Sequence, residues 1–177
     1  MPELQRLRPD HAPALLAFER ENRAYFAVSV TDRGDAYFAH FDARHDALLA
    51  EQAAGLCHFH VLVERGGEVV GRVNLVDVAD GSAELGFRIA EKATGRGLAT
   101  VAVRRILRLA ATEYGLTSLR AGAARDNLAS RAVLTRTGFT PTGESVLGGT
   151  GGTGGTGGRA GITYVRELAR TSTGTGS

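Results

Sequence analysis

A turn with two glycines, lying between a strand-like run and a long helix-like run, constrains this chain most. The turn covers residues 92–100 and reads KATGRGLAT, after a strand-like segment over 83–90. The apolar stripe of the following helix continues to about Tyr114. A helix N-terminus presents unpaired backbone N–H groups and the positive end of the helix dipole. The sequence therefore predicts a phosphate-binding turn at the start of this helix.

The apolar pattern along the rest of the chain predicts a mixed α/β domain. The predicted order of elements is β-α-α-β-β-β-α-β-α-β-β, which gives about seven strands and four helices. The three consecutive strands in the middle are expected to form an antiparallel meander, because short turns join them. We therefore expect a central, mostly antiparallel mixed sheet flanked by helices, rather than regular βαβ alternation.

The length of 177 residues predicts a single domain, which we expect to cover residues 1–170. A Gly-Gly-Thr repeat occupies 148–158, between the last two predicted strands. Its period of three lacks proline, which excludes a collagen-like helix and predicts a flexible loop. Residues 171–177 are expected to be a disordered tail.

Composition and charge favour a globular, cytoplasmic protein. No apolar run approaches the roughly 18 residues of a membrane span, and the start MPELQR has no apolar secretory core. The single Cys57 cannot form an internal disulfide, which favours the cytosol. The net charge is +2 without a clustered basic stripe. Neither a nucleic-acid partner nor a membrane partner is expected.

The residues around the two glycines weigh against nucleotide sites. A P-loop needs Gly-Lys-Ser/Thr, whereas Gly97 is followed by Leu98 and Ala99. A dinucleotide site needs a third glycine, where this chain has Thr100. It also needs an acidic residue about 20 positions on, where Glu113 lies at a helix end. Another phosphorylated cofactor, or a helix start without a ligand, remains.

Two histidines form the one metal-like pattern in the sequence. His58 and His60 alternate along a predicted strand, so both side chains point to the same face. A His-x-His pair is able to bind zinc, but no third ligand has convincing spacing. We therefore expect no metal site.

Three segments in the same order resemble the GNAT N-acetyltransferase superfamily. Residues 92–97 resemble its phosphate turn, Gln/Arg-x-x-Gly-x-Gly/Ala, with lysine as a conservative departure at the first position. Residues 127–139, NLASRAVLTRTGF, resemble the family's Asn-x-x-Ser/Ala…Gly-Phe segment, and 83–89 resemble the acidic strand before the turn. The sequence of these segments is most similar to that of the RimJ/RimL-type ribosomal-protein-alanine N-acetyltransferases.

The resemblance implies the GNAT fold and the transfer of an acetyl group from acetyl-CoA, without a metal, to a primary amine. The resemblance to the RimJ/RimL-type sequences favours the α-amine of a protein N-terminus as the acceptor. A small-molecule amine, including an antibiotic, is the alternative acceptor. A second alternative is a non-catalytic acyl-CoA-binding domain. A homodimer is an expectation, because dimers are common among such enzymes.

The resemblance also assigns the cofactor contacts residue by residue. The pyrophosphate is expected to contact Lys92, Gly95, Arg96, Gly97, Leu98, Ala99 and Thr100. The pantetheine arm and the thioester carbonyl are expected to meet the backbone of Phe87, Arg88 and Ile89, where a free N–H stabilises the developing oxyanion. Asn127 is expected to cap the next helix and to contact the cofactor.

Two side chains are the candidates for proton transfer. Glu84 is the best-placed base, with Asp77 and Asp80 as rivals, because an ammonium ion must lose a proton before it attacks. Ser130 is the candidate that protonates the leaving thiolate, since Leu134 lies where many relatives carry a tyrosine acid. Each residue also has a purely structural interpretation. Glu84 would then be an ordinary strand glutamate that faces solvent, and the Ser130 hydroxyl would bond the backbone of its helix.

Overall fold

A seven-stranded sheet forms the centre of the computed structural model, which describes residues 1–147 and 159–169. Its strands are β1 (Glu3–Arg6), β2 (His58–Val63), β3 (Val69–Ala79), β4 (Ser82–Ile89), β5 (Ser118–Ala124), β6 (Thr140–Leu147) and β7 (Arg159–Glu167). They lie in the order β1-β2-β3-β4-β5-β7-β6, and all neighbouring pairs are antiparallel except the parallel pair β4–β5. The predicted flexible loop at 148–158 and tail at 171–177 lie outside the described residues.

Six α-helices accompany the sheet in the described part of the chain. They are α1 (Ala12–Glu21), α2 (Arg23–Ala27), α3 (Asp35–Ala39), α4 (Phe41–Ala53), α5 (Leu98–Thr112) and α6 (Leu128–Arg136). The first two predicted helices are each divided into two. Asn22 separates α1 from α2, because its side chain donates to the Phe18 carbonyl (2.8 Å) and its backbone leaves the helical region. None of the helices in residues 1–147 and 159–169 is both long and apolar enough to cross a bilayer.

The helices cover the two faces of the sheet unequally. Arg72 of β3 points to the face that carries α1, where it meets Glu19, and α4 packs on β2 of the same sheet. We call this the front face; it is covered by α1 to α4. The neighbouring Val73 points the other way and is fully buried, on the rear face where α5 packs against β3 and β4.

Tyr114, just after α5, packs against the two histidines of β2 on the rear face. Its ring stacks on His58 with the centroids 3.7 Å apart, and its hydroxyl lies 2.7 Å from Nε2 of His60. Burial lowers the pKa of His60 to about 4. The histidine pair therefore belongs to the packing of α5 on the sheet. Within residues 1–147 and 159–169, no three His, Cys, Asp or Glu side chains group to hold a metal ion.

Acid is expected to destabilise the protein through His60. Its folded pKa of about 4 lies below the ordinary value of 6.5, so the unfolded chain binds this proton more tightly. The contribution is fully present above pH 6.5 and is lost as the pH falls towards 4; two to three pKa units correspond to about 3 kcal/mol. Urea unfolding across this range should show a shallower loss of stability for His60→Gln than for the wild type. The exposed His40 supplies the control His40→Gln, and equal slopes for all three proteins would contradict the assignment.

Candidate active site

The parallel strands β4 and β5 pair over only part of their length and then separate. The register joins 82–85 with 118–121, whereas β4 continues through 86–89 and β5 through 122–124. Residues 86–89 and 122–124 do not pair with each other, and we call the gap between them the β4–β5 cleft. It lies at the carboxyl ends of central strands, and the chain from each strand leads into a helix, α5 or α6. This is the position at which α/β sheets bind ligands.

Two backbone N–H groups of β4 point into the cleft. Ala90 N donates to Val70 O (2.9 Å), which fixes the alternation of the antiparallel β3–β4 ladder. The Arg88 N–H therefore faces β3, while those of Phe87 and Ile89 face the cleft. No described strand pairs with β4 on that side beyond residue 85. Both groups are therefore oriented to bind a carbonyl or amide oxygen.

The turn before α5 leaves several backbone donors at its start. Gly95 and Gly97 have φ of 78° and 70°, a backbone conformation that favours glycine. Gly97 is the N-cap residue and offers no side chain to cap the helix, whose first turn closes with Val101 N bonded to Gly97 O (3.2 Å). The N–H groups of residues 98–100 have no intrahelical acceptor for that reason. The described turn thus fits a pyrophosphate group.

The two cations of the turn already contact carboxylates. Lys92 Nζ pairs with Glu68 and with Glu21 (3.3 Å), which ties the turn to α1 and to the β2–β3 connection. Arg96 Nη1 pairs with Glu64 Oε1 (2.7 Å). Both pairs are exposed, so each is worth about 0–1 kcal/mol and is weak enough to exchange for a phosphate.

Helix α6 begins at the carboxyl end of β5, with Asn127 as its N-cap. Asn127 Oδ1 accepts a hydrogen bond from the Ser130 N–H (3.2 Å), so the predicted cap is present. Ser130 lies half-buried in the first turn of α6. Leu134 is buried in the core, with 1% of its surface exposed. Its side chain supplies no acid, so Ser130 stays the candidate in this helix.

Glu84, Gly86 and Arg88 share the front face of β4, because alternate residues of a strand point the same way. Gly86 is exposed although β4 is a central strand, and a Cβ at this position would meet nothing within 4 Å. The front face therefore has an opening above Gly86, which we call the front groove. Glu84 lies beside it; its β5 partner Arg120 donates to Ser82 Oγ (2.6 Å) rather than to Glu84.

The two rival carboxylates lie at the opposite end of the strands. Asp77, near the end of β3, and Asp80, in the β3–β4 connection, are both exposed, with φ of 52° and 51°. The last paired residue before the cleft is Leu85, so Glu84 is the nearest of the three along β4. The geometry favours Glu84 over both.

A buried carboxylate with three arginines lies on the front face next to the groove. Glu19 of α1 has 2% of its side chain exposed; it meets Arg72 Nη1 (2.7 Å), Arg33 Nε (3.3 Å) and Arg88 Nη1 (3.3 Å). We call these four residues the Glu19 cluster. No sequence pattern predicted this cluster, and the backbone of Arg88 was expected to contact the cofactor instead. The sequence did contain one indication that Glu19 is buried. It lies four positions after Leu15, and therefore on the apolar stripe of α1.

The Glu19 cluster carries one negative and three positive charges. Burial alone would raise the pKa of Glu19, but the guanidiniums, led by Arg72, hold that pKa below its ordinary value. Burial, and then the neighbouring Arg33, lower the pKa of Arg88 to about 10. The arginines thus keep Glu19 ionised, while the pKa of Arg88 is lowered chiefly by its burial.

Asn74 is a second residue that the sequence analysis missed. It lies opposite Gly86 in the β3–β4 register, so its side chain shares the front face. Its Oδ1 is buried and has no hydrogen-bond partner among the described residues. A buried amide oxygen without a partner is costly, so its place beside Gly86 needs an explanation.

Comparisons with known proteins identify the family and the fold. The family model of the acetyltransferase (GNAT) domain matches residues 3–140. The solved structure of ribosomal-protein-S5-alanine acetyltransferase from Vibrio fischeri is similar, with a TM-score of 0.84, 19% identity, and 93% of this chain and 91% of that chain covered. RimJ from Mycobacterium smegmatis, in complex with CoA-disulfide, gives 0.80 at 24% identity, over 93% and 80%.

A spermidine N-acetyltransferase SpeG chimera from Vibrio cholerae and hSSAT is also similar, with a TM-score of 0.72, 16% identity, and 93% and 94% of the two chains covered. At these identities the structural likeness establishes the fold. No curated protein sequence matches the chain significantly.

The chain belongs to the GNAT acetyltransferase family, whose model covers most of its length. It is an N-acetyltransferase with acetyl-CoA as the donor, and the fold, the enzyme class and the co-substrate predicted from the sequence are confirmed. Membership in a family of enzymes also decides against the non-catalytic alternative. The acceptor amine is a separate question.

Proposed function

We propose that the protein acetylates the α-amine of a protein N-terminus. The observation that carries this proposal is the exposure of Gly86 at the centre of the sheet. The front groove above it gives an extended peptide end a path from solvent to the β4–β5 cleft. The structural likeness to ribosomal-protein-S5-alanine acetyltransferase supports the same acceptor.

The acetyl-CoA is held along the two helix starts and the cleft. The N–H groups of residues 98–100, with Arg96 released from Glu64, bind the pyrophosphate. The pantetheine arm lies in the β4–β5 cleft, where the Phe87 and Ile89 N–H groups bind its oxygens. The thioester carbonyl thus reaches the floor of the front groove at Gly86.

The transfer then needs two protons to move. Glu84 takes a proton from the ammonium group of the acceptor, which frees the nitrogen lone pair. The nitrogen attacks the thioester carbon, and an N–H group of β4 stabilises the negative charge on the carbonyl oxygen. The C–S bond breaks as the amide forms; the nitrogen gives its remaining extra proton to the Ser130 hydroxyl, which passes its own proton to the thiolate of CoA.

The charge of the front face bears on the rival acceptor class. In the Glu19 cluster one carboxylate faces three guanidiniums; with the adjoining Arg23, Asp32 and Asp35 counted as well, four guanidiniums and three carboxylates leave a surplus of one positive charge next to the groove. A polyamine or an aminoglycoside carries several positive charges and is repelled there. A peptide end carries one, on the amine that Glu84 deprotonates. The electrostatics therefore favour the peptide.

A panel of acceptors tests the proposal. The purified protein is incubated with acetyl-CoA and unrelated N-terminal peptides, polyamines or aminoglycosides, and free CoA thiol is measured. Turnover with the peptides, and none with the same peptides blocked at the α-amine, is expected. Turnover with the polyamines or aminoglycosides alone would contradict the proposed acceptor.

Filling the front groove is expected to stop peptide acetylation without unfolding the protein. A valine at position 86 points into open space, so Gly86→Val should leave the unfolding midpoint nearly unchanged. Its methyl groups displace the acceptor amine, and a misplacement of about 1 Å costs about 100-fold in rate. The measurement is kcat/KM for the peptide, beside the Kd of acetyl-CoA.

Gly66 in the β2–β3 connection is the matched control, since a Cβ there also meets nothing within 4 Å. Gly66→Val should retain wild-type kcat/KM. If Gly86→Val also retained it, the acceptor would not pass over Gly86.

A further inference from the structure

We propose that Arg33 and Arg88 form an anion subsite beside the front groove, which holds a carboxylate of the acceptor near the amine that is acetylated. This inference rests on the proposed function for the identity of the acceptor as a peptide. Its chemistry is that of a guanidinium pair binding a carboxylate. An acidic side chain near a peptide N-terminus carries this group, and so does a small amino acid.

Arg33 and Arg88 share one oxygen of the Glu19 carboxylate. Arg72 takes Oε1 of Glu19 at 2.7 Å, while Arg33 and Arg88 both contact Oε2, each at 3.3 Å. Charge-assisted hydrogen bonds are normally shorter, about 2.7–2.9 Å. A guanidinium has five N–H donors, and one contact to Glu19 uses few of them. Arg33 and Arg88 are therefore weakly bound by the carboxylate they share.

Charge is distributed unevenly around the Glu19 cluster. The neighbouring Arg23 is contacted by two carboxylates, Asp32 and Asp35, both at 2.8 Å, whereas Glu19 alone faces three guanidiniums. Arg88 and Arg33 are partly buried, with 22% and 30% of their side chains exposed. Partly buried positive charge that lacks a counter-ion is costly, and a bound anion removes that cost.

The side chains of Arg33 and Arg88 are held in place around a pocket. Arg33 and Arg88 line one surface pocket together with Phe26, Val30 and Phe38. Each guanidinium lies over an aromatic ring, Arg88 over Phe26 and Arg33 over Tyr37, both at 4.7 Å to the centroid. Such stacking holds a cation in place while its N–H edge stays available.

The distance from Gly86 to Arg88 suits the first residues of a peptide. Arg88 lies two residues after Gly86 on the same face of β4, about 7 Å along the strand. An extended peptide advances about 3.3–3.6 Å per residue. A peptide whose amine lies above Gly86 therefore brings its second or third side chain to the Arg33–Arg88 pair. An acidic residue at one of these positions fits the subsite.

The test compares acidic acceptors with their amides in two variants. Peptides that begin Ala-Asp and Ala-Ala-Asp are each paired with the corresponding Asn peptide, and kcat/KM is measured for all four. Arg33→Gln removes one guanidinium of the pair. Arg44→Gln is the matched control, because Arg44 also lies over the Tyr37 ring (5.5 Å) but does not line the pocket.

The wild type should prefer at least one Asp peptide over its Asn partner by about ten-fold or more, the worth of a charged hydrogen bond. Arg33→Gln should bring that ratio close to one through the KM of the acidic peptide, while Arg44→Gln keeps it. A merely structural role of Arg33 would change both peptides of a pair equally and would overturn the subsite.

The two proposals fail in different ways. If peptides are acetylated with Asp-to-Asn ratios near one in the wild type, the subsite is wrong and the proposed function stands. If the peptides are inert but glycine or aspartate is acetylated, with a rate that falls in Arg33→Gln, the subsite stands and the peptide acceptor is wrong.

Discussion

Glu19→Gln is expected to lower the free energy of unfolding by about 3–5 kcal/mol, as happens when one partner of a buried ion pair is removed. The substitution keeps the shape of the side chain but removes the one carboxylate that faces Arg72, Arg33 and Arg88. Arg72 suffers most, because only 4% of its side chain is exposed and it cannot turn to solvent. Urea unfolding at neutral pH measures the loss, which salt should change little, since buried charges are weakly screened.

Glu21, two residues further along α1, provides the control for this prediction. Its pair with Lys92 is exposed, so Glu21→Gln should cost no more than about 1 kcal/mol. Removing Arg72 as well, in Glu19→Gln/Arg72→Gln, should recover part of the stability. A loss below 1 kcal/mol in Glu19→Gln, or no recovery in the double variant, would show that the cluster is not a buried charge centre.

Glu84→Gln is expected to lower kcat for the acceptor peptide by about 100-fold or more at neutral pH, the usual contribution of a general base. The glutamine keeps the size of the side chain but cannot take the proton of the ammonium group. Acetyl-CoA is bound by the turn before α5 and by the cleft, so its Kd should stay at the wild-type value. Steady-state kinetics and a thermal shift with acetyl-CoA measure the two effects separately.

Asp80→Asn is the matched control for the base, because it removes a carboxylate from the far end of the same hairpin. It should keep wild-type kcat. Raising the pH should rescue Glu84→Gln in part, since more of the amine is then already deprotonated. A kcat within about three-fold of wild type for Glu84→Gln would remove Glu84 from the mechanism.

Local patterns predicted the fold well. The glycine turn, the apolar stripe of α5 and the Asn127 cap each depend on residues within a few positions, so their signals lie in one short window. The division of the first two helices was missed, because the break at Asn22 depends on a side chain that bonds the backbone of its own helix. The mostly antiparallel, mixed character of the sheet was predicted, whereas the spatial order of its strands was not.

The site could be predicted only in part, because its remaining features depend on tertiary contacts. The exposure of Gly86 follows from the separation of β4 and β5 and from the helices that leave the front face open. Glu19 and its arginines come from α1, β3, β4 and the α2–α3 connection, which no local pattern joins. Arg88 illustrates the limit: a backbone contact was expected, and its side chain belongs to the Glu19 cluster.

Several expectations stay predictions. They are the single domain to residue 170, the homodimer, the cytoplasmic location, and the absence of nucleic-acid and membrane partners. The roles of Glu84, Ser130 and Asn127, and of the backbone around residues 87–89 and 95–100, are proposals that the variants above test.

The position of the transferred acetyl group tests the central proposal most directly. A peptide with a free α-amine and an internal lysine is incubated with acetyl-CoA and the protein, and fragment masses locate the acetyl group while free CoA thiol is counted. We predict one acetyl group on the α-amine for each thiol released, and none on the lysine. Acetyl groups on the lysine, or thiol release without an acetylated peptide, would contradict the proposed function.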